Sequence, residues 1–196
     1  LAIEGAERAP GRAATEALHA ALDALRETRV SPPVHGDRLR ACVPVPKAER
    51  FVSCGDDGAV KVFDARTLEP VMVLRDGGNP VTGLAVSPDG AWVAGGLADS
   101  GTLVWSLCDG RQVLAVPGRA GAVGSFCADG SRWLYLDADS RPHLVAIPGG
   151  EETCTFGEIT FHAAVLSSDG RLVAGIQQRG PARSFDCSGP SAAVLA

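Results

Sequence analysis

The sequence predicts an all-β fold of four similar sheets, preceded by one short helix. Three observations predict it. A Gly-ending turn recurs at a 40-residue spacing, as Ser87-Pro88-Asp89-Gly90, Cys127-Ala128-Asp129-Gly130 and Ser167-Ser168-Asp169-Gly170. Short apolar runs stand at matching distances from each turn, as antiparallel strands do. Apolar spacing of three and four residues is confined to the first 33 positions.

That first segment, 1–33, reads as a linker carrying an amphipathic helix. From Gly11 to Arg29, Ala14, Ala17, Leu18, Ala21, Leu22 and Leu25 form one stripe, and Pro32-Pro33 ends it. A helix of this length is marginal alone in water, so its stripe is expected to dock on a neighbouring domain. It is too poor in basic and bulky apolar residues for a membrane-surface helix.

From position 34 the chain divides into four units, approximately 34–77, 78–118, 119–158 and 159–196. A run before each turn gives a first strand: Leu39 to Val43, Val81 to Val86, Ala122 to Phe126 and Ala163 to Leu166. A run after it gives a second: Phe51 to Cys54, Ala91 to Ala94, Ser131 to Leu134 and Arg171 to Ala174. Third strands are Val60 to Phe63, Leu103 to Trp105, His143 to Val145 and Arg183 to Phe185, and fourth strands are Pro70 to Leu74, Gln112 to Val116, Glu152 to Phe156 and Ala192 to Leu195. The Asp-Gly pairs suit the turns, because Asp can bond its own backbone and Gly tolerates positive φ. Counting 40 back from Gly90 places a degenerate first turn at Pro46 to Arg50. A small twisted sheet buries one face poorly by itself, and radial stacking into a β-propeller is the economical solution.

At this point the units resemble WD repeats. The second matches best, with Val81 to Gly90 followed by Gly101-Thr102-Leu103-Val104-Trp105-Ser106. Phe63-Asp64 stands at the family's Trp-Asp pair in the first unit and Phe185-Asp186 in the fourth, whereas the third has Val145-Ala146. Asp89 and Gly90, Asp129 and Gly130, and Asp169 and Gly170 are the repeat-turn positions. The family's opening Gly-His pair is nearly absent, since His35-Gly36 is reversed and Gly78-Asn79 holds the second place. That departure puts the family's His, Ser/Thr and Asp network in question. The resemblance covers Val34 to Ala196, about 83% of the chain. It implies a propeller of WD-repeat type with about four blades visible, where a closed ring has seven or eight. The chain is therefore expected to be part of a larger ring, completed by further repeats or by a second copy.

Composition excludes several functions. Of 18 basic residues only Lys47 and Lys61 are lysines, against 23 acids, and no basic block offers a nucleic-acid stripe. No run of 18 apolar residues exists to span a membrane as a helix, and Glu4, Glu7 and Arg8 break any signal-peptide pattern in the first ten residues. The six cysteines lie at least 12 residues apart, so no CxxC pair is available for zinc or redox work. Buried free thiols and a reducing cytoplasm are expected.

Candidate chemistry is sparse. His19, His35, His143 and His162 have no metal-ligand spacing and read as surface or turn residues. Asp56-Asp57-Gly58 and Asp137-Ala138-Asp139-Ser140 read as turns between middle strands. No GxSxG elbow or phosphate-binding glycine loop occurs. The inner strands Val81 to Val86 and Ala122 to Phe126 offer only Thr82 and Ser125 as polar groups, a poor basis for a channel enzyme. No catalytic residue, cofactor or metal is assigned. The expected function is a non-catalytic protein-binding or sensing scaffold, with no nucleic-acid or membrane partner. The helix directly before the repeats resembles the junction in bacterial multidomain WD-repeat proteins, which implies coupling to an upstream effector domain. A channel enzyme and a purely structural assembly module are the alternatives.

Overall fold

The computed structural model describes residues 33–99, 101–118, 123–177 and 180–194. The expected helix from Gly11 to Arg29 lies outside the described residues. Four four-stranded antiparallel sheets follow one another, each a meander in chain order. The first holds β1 (Leu39–Pro44), β2 (Arg50–Gly55), β3 (Val60–Asp64) and β4 (Pro70–Arg75). The second holds β5 (Val81–Val86), β6 (Trp92–Leu97), β7 (Thr102–Ser106) and β8 (Gln112–Val116). The third holds β9 (Ser125–Phe126), β10 (Arg132–Leu136), β11 (Pro142–Ala146) and β12 (Glu152–Cys154), and the fourth β13 (Ala163–Leu166), β14 (Leu172–Ile176), β15 (Ala182–Asp186) and β16 (Ala193–Val194).

Side chains alternate across each strand, so each sheet has two faces to cover. Three apolar clusters do the covering, one between each pair of successive sheets. Val52, Cys54, Val60 and Val62 of the first sheet meet Val81, Val93 and Trp105 of the second. Ala94 and Val104 of the second meet Trp133 and Val145 of the third. Leu134, Leu144 and Cys154 of the third meet Val173 and Phe185 of the fourth, with Phe156 and Phe161 from the connector between them. The first strands β1, β5, β9 and β13 approach their neighbours most closely, which places them on the inner side of the stack. No unit can bury its apolar surface without its neighbour.

Several sequence expectations shift. The first-unit counterpart of Gly90 is Ala48 rather than Arg50. Ala48 N–H donates to Val45 as Gly90 N–H donates to Ser87, and Val45 pairs with Arg50 as Ser87 pairs with Trp92. The first and second units are thus offset by 42 residues at this turn, as they are at Phe63 and Trp105. The third sheet's first strand begins only at Ser125, after Gly124 with φ +70°. Its fourth strand stops at Cys154, because Thr155 leaves the sheet to pair with Ser191 of the next unit and donates its N–H to Pro190. All six cysteines are free, but Cys42 and Cys108 are exposed, contrary to the expectation of buried thiols. Cys42 alternates with Ala41 and Val43, which take the face packed on the second sheet, and Cys108 sits in the β7–β8 turn.

Candidate binding surface

Because every sheet is an up-and-down meander, its turns fall on two rims. The turns after each first and third strand share one rim. The turns after each second strand and the connectors between sheets share the other. The two rims are built from different chemistry.

The first rim is held by short carboxylate-centred turns. Ser87 Oγ donates to Asp89 at 2.5 Å, Asp89 accepts the Ala91 N–H at 3.1 Å, and Ser87 Oγ accepts the Trp92 N–H at 2.9 Å. The fourth sheet repeats the pattern with Ser167, Asp169, Arg171 and Leu172. In the third, the Cys127 thiol replaces the hydroxyl and donates to Asp129 at 2.9 Å, while Ser131 adds its N–H and hydroxyl. Cys127 first, then Ser131, hold the Asp129 carboxyl down at about 2. The turn glycines also serve inter-sheet packing. Gly90 has φ +81°, and a β-carbon there would lie 2.7 Å from the Pro46 carbonyl oxygen of the preceding turn. Gly130 meets Asp89 in the same way, and Gly170 lies beside Cys127 and Arg132, whose guanidinium donates to the Gly170 carbonyl. Asp64 and Asp186 sit at the second turn of this rim. Asp64 accepts the Arg66 and Thr67 N–H groups, and Asp186 accepts the Ser188 N–H.

The opposite rim carries His35 and His143, and His19 lies outside the described residues. His35, expected as a surface or turn residue, lies in a bend, but its side chain is turned inward and is 2% exposed. Nδ1 lies 3.0 Å from Asp57, and Nε2 lies 2.7 Å from Ser53 Oγ. Burial works to raise the Asp57 pKa, but the His35 bond and the Ala59 and Gly36 amides outweigh it and hold the carboxyl below its ordinary value. An ionised carboxylate only accepts, so Nδ1 donates to Asp57 while Nε2 meets the Ser53 hydroxyl. The His–Ser–Asp network is therefore present in the first sheet, despite the reversed His35-Gly36 order. The signal that could have found it was Ser53 and Asp57 flanking the first tight turn. His143 lies between Asp137 at 3.3 Å and Glu152 at 3.1 Å and stacks on Tyr135, which stacks on Trp133. Asp137 closes the β10–β11 turn by accepting the Asp139 and Arg141 N–H groups.

Phe63, Trp105, Val145 and Phe185 occupy equivalent third-strand positions, opposite Phe51, Val93, Trp133 and Val173. Trp105, Val145 and Phe185 each enter the cluster shared with the preceding sheet. In the third sheet the large ring has moved to Trp133, across the ladder from Val145, so one aromatic still fills that space. Its indole N–H donates to the Val123 carbonyl at 3.0 Å.

Residues 28–64 and 68–106 match the WD40 family model, described as WD domain, G-beta repeat. Over these two segments the chain is similar to WD40 repeats. The matched segments hold β1–β3 and β4–β7, where the Phe63-Asp64 and Trp105-Ser106 pairs close the third strands. The chain is 41% identical over 68 residues to autophagy-related protein 16 of Arabidopsis thaliana, covering 33% of this chain and 13% of that protein. It is 36% identical over 93 residues to small ribosomal subunit protein RACK1y of Oryza sativa subsp. japonica, covering 46% of this chain and 27% of that protein. The chain thus spans about an eighth and about a quarter of these curated relatives.

The inner strands of the second and third sheets spend their polar groups on structure. Thr82 donates to the Gly96 carbonyl, and Ser125 Oγ accepts the Leu166 N–H from the neighbouring sheet. Among the described residues, no group of three or more His, Cys, Asp or Glu side chains is placed to hold a metal ion.

Proposed function

We propose that this WD40 array is a non-catalytic protein-binding or sensing scaffold whose recognition surface is the rim of second-turn loops and inter-sheet connectors. One observation carries the reading. The opposite rim is held by Asp-centred turns, while this rim joins neighbouring loops and strands through exposed side-chain pairs, His143 with Asp137 and Asn79 with Asp99, on a rigid base. Rigid scaffolds that carry function on one set of loops are the common pattern. The internal use of Thr82 and Ser125 favours binding over channel chemistry. WD40 domains generally mediate protein–protein contacts, in keeping with the similarity to parts of the two plant proteins.

The finer reading is a module of a larger bacterial protein in the cytoplasm, coupling partner recognition to an upstream effector domain. Its support is the Ala-, Gly- and Arg-rich composition with two lysines, the six cysteines free of CxxC spacing, and the helical pattern before the repeats. The test is loop replacement in the full-length protein. Exchanging 76–80 and 137–141 for Gly-Ser segments of equal length should abolish partner capture and control of the neighbouring domain while the sheets stay folded. Unchanged capture and control would refute the assignment.

A further inference from the structure

The junction between the third and fourth sheets differs in chemistry from the two before it. Each junction takes one residue from the last strand of the earlier sheet and one from just past the third strand of the later sheet. Met72, Leu114 and Cys154 form the first set, in register with Val62, Val104 and Leu144. Leu107, Ile147 and Cys187 form the second, each two positions beyond the equivalent residues Trp105, Val145 and Phe185. The second set is held alike, since its N–H groups donate to the carbonyls of Ala91, Ser131 and Arg171. Met72 and Leu107 share one apolar cluster, Leu114 and Ile147 another, and Cys154 and Cys187 the last. Two apolar side chains thus give way to two thiols at the same place. One thiol in a core is an ordinary packing residue. A thiol on each side of a sheet–sheet junction can form a bond that neither Met72 with Leu107 nor Leu114 with Ile147 can.

Both are free thiols, each 1% exposed, and their side chains are in hydrogen-bond contact. The backbone beside them ties the two sheets together. Thr155 N–H donates to the Pro190 carbonyl at 3.0 Å, and Ala192 N–H donates back to the Thr155 carbonyl at 2.9 Å. Burial raises both thiols, Cys187 to about 12. The contact between them works to lower Cys154 and raises Cys187 further, so Cys154 ionises first and is the nucleophile of the pair.

We propose that Cys154 and Cys187 are a redox pair, which a hydroperoxide converts into a disulfide joining the third sheet to the fourth. With hydrogen peroxide, the Cys154 thiolate takes one oxygen, the O–O bond breaks, and the leaving hydroxide takes up the proton that Cys154 released. Cys187 then gives up its proton, its sulfur attacks the Cys154 sulfenic acid, the S–O bond breaks and water leaves. One peroxide and two thiols become one disulfide and two waters. The bond links residues 33 apart in sequence and restricts the unfolded chain, which stabilises the junction. Two equivalents of a small thiol reverse it by exchange. The pair is independent of the scaffold reading, since it lies in the core and not on the loops.

The test uses the whole chain carrying Cys42→Ser and Cys108→Ser, which removes the two exposed thiols. The reduced, folded protein is treated with hydrogen peroxide, then alkylated in denaturant and peptide-mapped. The expected product has lost two hydrogens, holds a Cys154–Cys187 link, and has Cys54 and Cys127 alkylated. Its urea midpoint should exceed that of the reduced protein and fall back on treatment with dithiothreitol. Adding Cys187→Ala should abolish the link and leave a sulfenic acid at Cys154 that dimedone traps. Circular dichroism checks that this variant is folded, and the map of the parent decides the matter if it is not. No Cys154–Cys187 link from the folded protein, equal linkage through Cys54 or Cys127, or a midpoint unmoved by oxidation would overturn the proposal.

Discussion

Trp105 and Gly95 make a quantitative test of inter-sheet packing. Trp105 is 1% exposed and lies in the cluster joining the first and second sheets. A Trp side chain buries about 150–250 Å², which at about 25 cal/mol per Å² corresponds to about 4–6 kcal/mol before the compactness of the unfolded chain is allowed for. Truncation to alanine is therefore expected to cost about 3–5 kcal/mol, the usual range for a buried Trp. Gly95 sits beneath the ring: a β-carbon there would fall 2.9 Å from Trp105 Cζ3 and 3.2 Å from Val81 Cγ1. Gly95→Ala should cost about 1–3 kcal/mol by overpacking. With the indole gone, the added methyl enters the cavity, so the double variant should be more stable than the sum of single effects by about 1–2 kcal/mol. Urea unfolding of the four proteins, with slopes compared, measures this coupling. Effects that add to within about 0.5 kcal/mol would mean the two sites do not share a packed space, and the inter-sheet account would fail.

Three further outcomes follow from named groups. Cys42 and Cys108 should react quickly with a thiol reagent in the native protein, while Cys54 and Cys187, pushed by burial up to about 11 and about 12, stay slow with the buried Cys127 and Cys154 until unfolding releases six. Equal reaction of all six in the folded protein would contradict the burial. Asp57, Asp129 and Asp169 have folded-state pKa values below their ordinary 3.8, so each stabilises the fold above about pH 4 and loses that contribution as pH falls through its lowered value. Urea midpoints from pH 7 down to pH 2 should fall on this acid limb, and Asp129→Asn should flatten it; an unchanged limb counts against the turn network. His35→Ala leaves Ser53 and Asp57 without their shared partner and should cost about 1–3 kcal/mol, read by chemical denaturation. A loss under about 0.5 kcal/mol would show that the network carries little.

The repeat made much of the fold legible. β5, β8 and β13 fall where the apolar runs place them, because turns with strong local chemistry punctuate both ends. Where the turn chemistry weakens, counting misleads. The Pro46-Lys47-Ala48 turn has no Asp-Gly, and the 42-residue offset moved its counterpart by two positions. β9 and β12 are shorter than their apolar runs, since Gly124 takes φ +70° and Thr155 pairs with the next unit. The His35 network was hidden for another reason. It joins residues 18 and 22 apart in sequence, so only the sheet brings them together. The exposure of Cys42 and Cys108 depends on which strand face and which turn they occupy, which flanking hydrophobicity does not report.

The central claim is that the sheets are stabilised by their neighbours through shared cores, and removing one sheet tests it most directly. Ending the chain at Gly157 deletes the fourth sheet and bares Leu134, Leu144 and Cys154 on the third. The account predicts a lower urea midpoint for the remaining three sheets and new binding of an apolar dye, as nearest-neighbour coupling requires. A truncated protein with the parent's midpoint and no dye binding would contradict it, because the four sheets would then be independent units.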